Sequence, residues 1–159
     1  MSFPERIYTT EEVKEAINQI QKGYKHNLTI KGSPGFKEKV EQAIEHIKTA
    51  EYYDFLRTYI REITEIDGLT QLHEAEAAIW ANKYAVDNPV DAASLFIQKA
   101  NHMKEYLEGE LYYGGLAEKR SVTKRLEFLK TLKEKSSRAE IKEECERLLK
   151  SWKDHSIIY

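Results

Sequence analysis

Apolar residues recur along most of this chain at the three- and four-residue spacing of an α-helix, and in one stretch at the two-residue spacing of a strand. Thr9 followed by Glu12 has the form of a capping box, and Val13, Ala16, Ile17 and Ile20 then mark one helical face that Gly23 can end. Leu28 and Ile30 alternate with polar neighbours across residues 26–31, which predicts a short strand. Ser33-Pro34 starts a second helix with Pro at its first position, and Phe36, Val40, Ala43, Ile44 and Ile47 are its stripe. Phe55, Leu56 and Tyr59 continue helical spacing across residues 52–60.

The middle of the chain supports two readings. Residues 60–66 suit either a continued helix or a strand, and Asp67-Gly68 is a turn signal. Residues 72–86 are rich in Glu and Ala, which favours helix, yet Ile79, Trp80 and Tyr84 suit a strand. Asp87-Asn88-Pro89 then opens a helix running to about Glu108. After Gly109, Gly114 and Gly115, a helix over residues 117–135 turns Val122, Leu126, Leu129 and Leu132 inward, and a last one from near Arg138 carries Ile141, Cys145, Leu148, Leu149 and Trp152. The expected fold is α+β, mostly helical, with a small sheet against two or three core helices. An all-α bundle is the alternative, should residues 60–86 be helical throughout.

Composition narrows the class. At 159 residues the chain is one domain, 1–159, large enough to bury a core. Its 41% hydrophobic content and its aromatics are too high for a disordered chain. No apolar run reaches the roughly 20 residues of a membrane span, and residues 1–6 lack the pattern of a signal peptide. With Cys145 the sole cysteine there is no internal disulfide, so a cytoplasmic location is expected and Cys145 reads as a small buried hydrophobe. Net charge is −2, but residues 119–138 carry eight basic and two acidic side chains, +6 against −8 for the remainder. A basic helix can touch phosphates through Lys119, Arg120, Lys124, Arg125, Lys130 and Lys133. Without a Gly-rich loop or interleaved aromatics, a solvated helix face is the plainer reading, and nucleic acid is not the expected partner.

On the helix from Pro89, Ala93, Phe96, Ile97, Ala100, Met103 and Leu107 form the apolar stripe, and Leu95 and Tyr106 extend it. Ser94, Gln98, Asn101, Glu105 and Glu108 fall on the sector expected to face solvent. Lys99 lies among large apolar residues with His102 three positions on, and a lysine so placed must snorkel, pair or lose its charge. Glu118 starts the next helix, where a carboxylate suits the helix dipole. If the two helices pack antiparallel through the turn at 109–115, Glu118 approaches Lys99 and His102. The ordinary alternative has Lys99 snorkelling, Glu118 acting only as a helix-start acid, and His102 partly buried.

The stretch Asp87-Asn-Pro-Val-Asp-Ala-Ala-Ser-Leu-Phe-Ile-Gln-Lys-Ala-Asn-His-Met-Lys-Glu-Tyr106 resembles the active-site helix of small zincin-type metallopeptidase domains. There an apolar run leads into His-Glu-x-x-His, whose histidines share one helical face and bind zinc while the Glu is general base. The resemblance implies a short sheet upstream, from residues 28–31, 60–66 and 77–80, and a third ligand from a downstream helix. Residue by residue, Gln98 stands at the first histidine, Lys99 at the general base, His102 at the second histidine, and Glu118 at a position for the third ligand. A Gln amide is a poor zinc ligand and an ammonium repels a dication. The expectation is therefore a catalytically inactive zincin-like domain, with no catalytic residue and no cofactor, in which a Lys99–Glu118 ion pair with Gln98 and His102 replaces the metal. Its role would be binding a peptide or protein in the old substrate groove, an edge strand admitting an extended peptide.

Two alternatives stand beside it. One is an active metal-dependent hydrolase, with zinc held by His102, Glu118 and a rescuing ligand. The other is a nucleic-acid-binding module using the basic helix 119–138. Other candidates are slighter. Leu72-His73-Glu74-Ala75-Glu76-Ala77 begins like a zinc motif but has Ala77 where the second histidine belongs; His26 and His46 have no neighbours at ligand spacing. The tail with Ile157, Ile158 and Tyr159 suits docking on the core or on a partner.

Overall fold

The computed structural model describes residues 3–110 and 114–155, in six helices and four short strands. Helix α1 spans Thr10–Gln21, capped as expected: Thr9 accepts from the Glu12 N–H and the Glu12 carboxylate accepts from the Thr9 N–H. Strand β1 (Thr29–Lys31) leads to α2 (Pro34–Thr49), whose cap Ser33 accepts from the Phe36 N–H. Then come α3 (Tyr53–Tyr59), β2 (Glu62–Ile66), β3 (Gln71–His73), a 3-10 turn (Glu74–Glu76) and β4 (Ala78–Asn82). Helix α4 (Pro89–Leu107) starts at Asn88, whose side chain accepts from the N–H groups of Val90 and Asp91. Helices α5 (Gly115–Lys135) and α6 (Ala139–His155) follow.

The fold class is α+β, with a four-stranded mixed sheet ordered β1-β2-β4-β3. β1, β2 and β4 run parallel, and β3 pairs antiparallel with β4 at the edge. Residues 62–66 and 78–82 are strands, which overturns the all-α alternative. Ile63, Ala78, Ile79 and Ala81 sit in the middle of the sheet, where β-branched and small side chains pack between neighbours. Ile30, Ile63, Ile79 and Leu72 share one cross-strand row on the helix side. On the other face the His73 ring stacks on Trp80 with centroids 3.3 Å apart. The 72–77 stretch that begins like a zinc motif becomes β3 and the 3-10 turn, closed by Ala77 in the left-handed region at φ 53°.

The residues before α1 cross the lower ends of the strands as a strap. Arg61 donates to the carbonyls of Glu5 and Pro4 at 2.8 and 2.6 Å. The Ile7 N–H bonds to the Ala75 carbonyl at 2.7 Å, and the Tyr106 hydroxyl donates to the Ile7 carbonyl at 2.8 Å. Phe3 closes the far end, stacked on Tyr24 and edge-on to His26.

Helix α4 is the axis of the core, packed against α2, α3 and α5, and α6 lies on α5. Phe96, Ile97, Ala100 and Met103 are fully buried as their stripe predicts. Its expected solvent sector is only partly solvated: Glu108 is exposed and Asn101 half-buried, but Ser94, Gln98 and Glu105 are buried, because α5 covers that side. On α5 the inward residues are Val122, Phe128, Leu129 and Leu132 together with Ser121 and Arg125, while Leu126 is only half-buried. Cys145 is buried, and that burial pushes its thiol up to about 11, so it behaves as a hydrophobe. The Ile157, Ile158 and Tyr159 tail lies outside the described residues. No helix among the described residues is long and apolar enough to cross a membrane.

Candidate functional site

Asp91, Ser94 and Gln98 recur at the helical spacing that puts them on one side of α4, and α5 meets that side with Ser121 and Arg125. Arg125 is only 7% exposed. Its guanidinium donates to Ser94 Oγ at 2.8 Å, to Gln98 Oε1 at 2.9 Å and to Asp91 Oδ1 at 2.7 Å. Trp152 of α6 places its ring 4.8 Å from the guanidinium carbon. Gln98 Nε2 donates to Ser121 Oγ at 3.1 Å, and the Ser121 hydroxyl donates to the Glu118 carbonyl. Two turns beyond Gln98, buried Glu105 accepts from Arg120 Nε at 2.5 Å and from Asn101 at 3.3 Å. The seam between α4 and α5 is therefore a chain of directional polar contacts.

Two of the four expected site residues belong to this seam, Gln98 through its amide and Glu118 through its carbonyl, in roles different from those expected. Gln98 is buried with both ends of its amide engaged. Lys99 is half-buried; no carboxylate lies within 4 Å of its ammonium among the described residues. Burial, together with the charge of Arg125, holds the Lys99 amine below its ordinary value against the opposing pull of Glu118 and Glu74. His102 is buried and its Nε2 has no hydrogen-bond partner among the described residues; burial and the Lys99 charge push the ring down to about 4. Glu118 is exposed in the first turn of α5. It approaches Lys99 closely enough to be felt, but the expected buried Lys99–Glu118 pair does not form. The buried cation opposite α4 is Arg125, and its carboxylate is Asp91.

These residues do not fit a zinc ion. Gln98 Oε1 already accepts from Arg125, an ammonium stands at the general-base position, and the carboxylate of Glu118 is out in solvent. Among the described residues no three His, Cys, Asp or Glu side chains are grouped so as to hold a metal ion.

The basic segment 119–138 is largely answered within the fold. Lys124 pairs with Glu127, Lys133 with Glu146, Lys135 with Glu51 and Arg138 with Glu140, while Arg120 and Arg125 belong to the seam.

In sequence Arg125 reads as part of a solvated face; in the fold it is a buried structural group. A signal was there: Ser121, Arg125, Phe128 and Leu132 share one face of α5 at three- and four-residue spacing, matched by Asp91, Ser94 and Gln98 on α4. At the sheet edge, Gln71–Ala75 face a cleft of about 570 Å³ that Tyr8 and Tyr106 also line. β3 has one strand neighbour, β4, and its outer side has none among the described residues. Comparison with family models, with curated proteins and with solved structures finds no match to this chain.

Proposed function

We propose that this chain is a zincin-like domain without hydrolytic chemistry that serves as a peptide-binding module, an extended segment of a protein partner adding as a strand along the outer edge of β3. The observation that carries the reading is this edge, which opens on a cleft beside α4, the helix that resembles a peptidase active-site helix. A strand edge offers main-chain hydrogen bonds to any extended peptide, and the adjoining cleft supplies side-chain selection. Two further features support it. The short sheet upstream of the helix is the kind the resemblance implies. The motif position Gln98 is committed to the α4–α5 seam, which leaves the helix a structural part rather than a chemical one.

The test is selection of peptides from a random display library on the untagged protein, followed by amide hydrogen exchange with the selected peptides. Protection concentrated at residues 71–73 is the expected result. Peptides that protect other segments and leave β3 exchanging freely would overturn the reading. Cleavage of the peptides together with stoichiometric zinc lost in His102→Ala would replace it with the hydrolase.

A further inference from the structure

The sheet has a second edge with no strand neighbour among the described residues. In the order β1-β2-β4-β3, β1 lies at the side opposite β3. The Thr29 N–H bonds to the Arg61 carbonyl at 3.0 Å, and Thr29 and Lys31 stand in register with Glu62 and Thr64. In a parallel ladder alternate residues bond to the same neighbour, so Leu28 and Ile30 turn their N–H and C=O groups away from the sheet.

Helix α2 runs beside this edge without closing it, leaving a groove of about 560 Å³. Leu28, Ile30, Ile44 and Tyr53 form its apolar floor. The rim is acidic: Glu38, Glu41 and Glu45 are all exposed along α2. Among the described residues only Glu45 has an ion-pair partner, Lys48 at 3.6 Å, whose ammonium also lies 4.9 Å from the Tyr53 ring centroid. Glu38 and Glu41 have no partner there.

We propose that the β1 edge and this groove bind an extended segment of a partner protein carrying Lys or Arg at alternate positions. The segment pairs with the outward groups of Leu28 and Ile30. Alternate side chains of an added strand then point to the helix side. A Lys or Arg there lays its aliphatic stem over the apolar floor and delivers its charge to Glu38 and Glu41. The acidic rim selects the occupant. Two copies of this chain joined edge to edge would bring two rows of carboxylates together, and a nucleic acid would meet the same repulsion. This surface is separate from the β3 cleft, so either assignment can fail without the other.

The test uses the full-length ¹⁵N-labelled chain and a capped heptapeptide, Thr-Lys-Thr-Arg-Thr-Lys-Thr, with a Glu-for-Lys/Arg analogue as control. The expected result is saturable binding that shifts and protects the amides of Leu28 and Ile30, weakens with salt, and is absent for the analogue. The double charge reversal Glu38→Lys with Glu41→Lys, at exposed positions, weakens it by at least about tenfold. The milder pair Glu38→Gln with Glu41→Gln guards against a folding defect and weakens it in the same direction. The proposal is overturned by any of four results: no binding up to about 1 mM, equal binding to the charge-reversed chain, saturation with the Leu28 and Ile30 amides unmoved, or a dimer that the peptide displaces.

Discussion

Arg125 on α5 and Asp91 on α4 meet at 2.7 Å, with the guanidinium almost wholly buried and the carboxylate still 38% exposed. The two substitutions therefore leave different things behind. Without Arg125, Ser94 and Gln98 lose a charged donor in a buried place, while Asp91 can turn to water. Without Asp91, a buried guanidinium stays among neutral acceptors and loses this carboxylate. Arg125→Ala and Asp91→Ala are each expected to cost about 3 kcal/mol, read by urea denaturation. A loss below about 1 kcal/mol for Asp91→Ala would mean that water replaces the carboxylate at the guanidinium.

Lys99 and Glu118 are near each other without touching. Their double-mutant cycle is expected to give a coupling below about 0.5 kcal/mol. Lys99→Met keeps the stem and deletes a desolvated charge, so it is expected to stabilise, by up to about 1 kcal/mol. A coupling of several kcal/mol would restore the buried pair.

His26 and His102 are both held down to about 4, His26 by burial and the charges of Arg61 and Arg57, His102 by burial and Lys99. Above pH 6.5 the rings are neutral in folded and unfolded chains alike, and their contribution is constant. As pH falls from 6.5 toward 4 the unfolded chain takes up protons that the folded chain refuses, so stability drops through that window and levels below it. The full loss is about 3 kcal/mol for each ring. Denaturation midpoints of wild type and His102→Leu at pH 7 and pH 4.5 measure it, the variant losing less on acidification.

Glu51 follows α2 in the left-handed region at φ 64°, while its carboxylate meets exposed Lys135 at 2.5 Å. Relief of backbone strain is worth about 1 kcal/mol and an exposed ion pair about 0–1. Glu51→Gly is therefore expected to be neutral to mildly stabilising in a thermal melt, and a clear loss would give the pair more weight than its exposure allows.

Arg61 fastens the strap before α1 through two backbone carbonyls. Arg61→Ala is expected to speed amide exchange at Ile7, by about tenfold or more, with the exchange of α4 little changed. Uniform acceleration across the chain would mean that Arg61 supports the whole fold rather than the strap.

Much of the fold is written in local chemistry. The Thr9–Glu12 cap, Ser33-Pro34 and Asn88-Pro89 each mark the helix start they form, because capping depends on neighbours three residues apart. In sequence the strands at 62–66 and 78–82 are ambiguous for a physical reason. Their partners are distant in sequence, and a strand flanked on both sides loses the clean alternation that identifies one. The seam is less legible still. Ser94, Gln98 and Glu105 look like solvent positions until a second helix brings Arg120 and Arg125 to meet them. Polar residues facing polar residues carry no hydrophobic signal, so neither helix alone discloses the contact.

That seam also limits how the chain can vary. Greasy interfaces let one cylinder slip a turn along another and find new neighbours of equal quality. Here a slip would leave the guanidinium of Arg125 without an acceptor and the amide of Gln98 without its mates. The two long helices are keyed to a single alignment, and a replacement for either must arrive with its matching teeth.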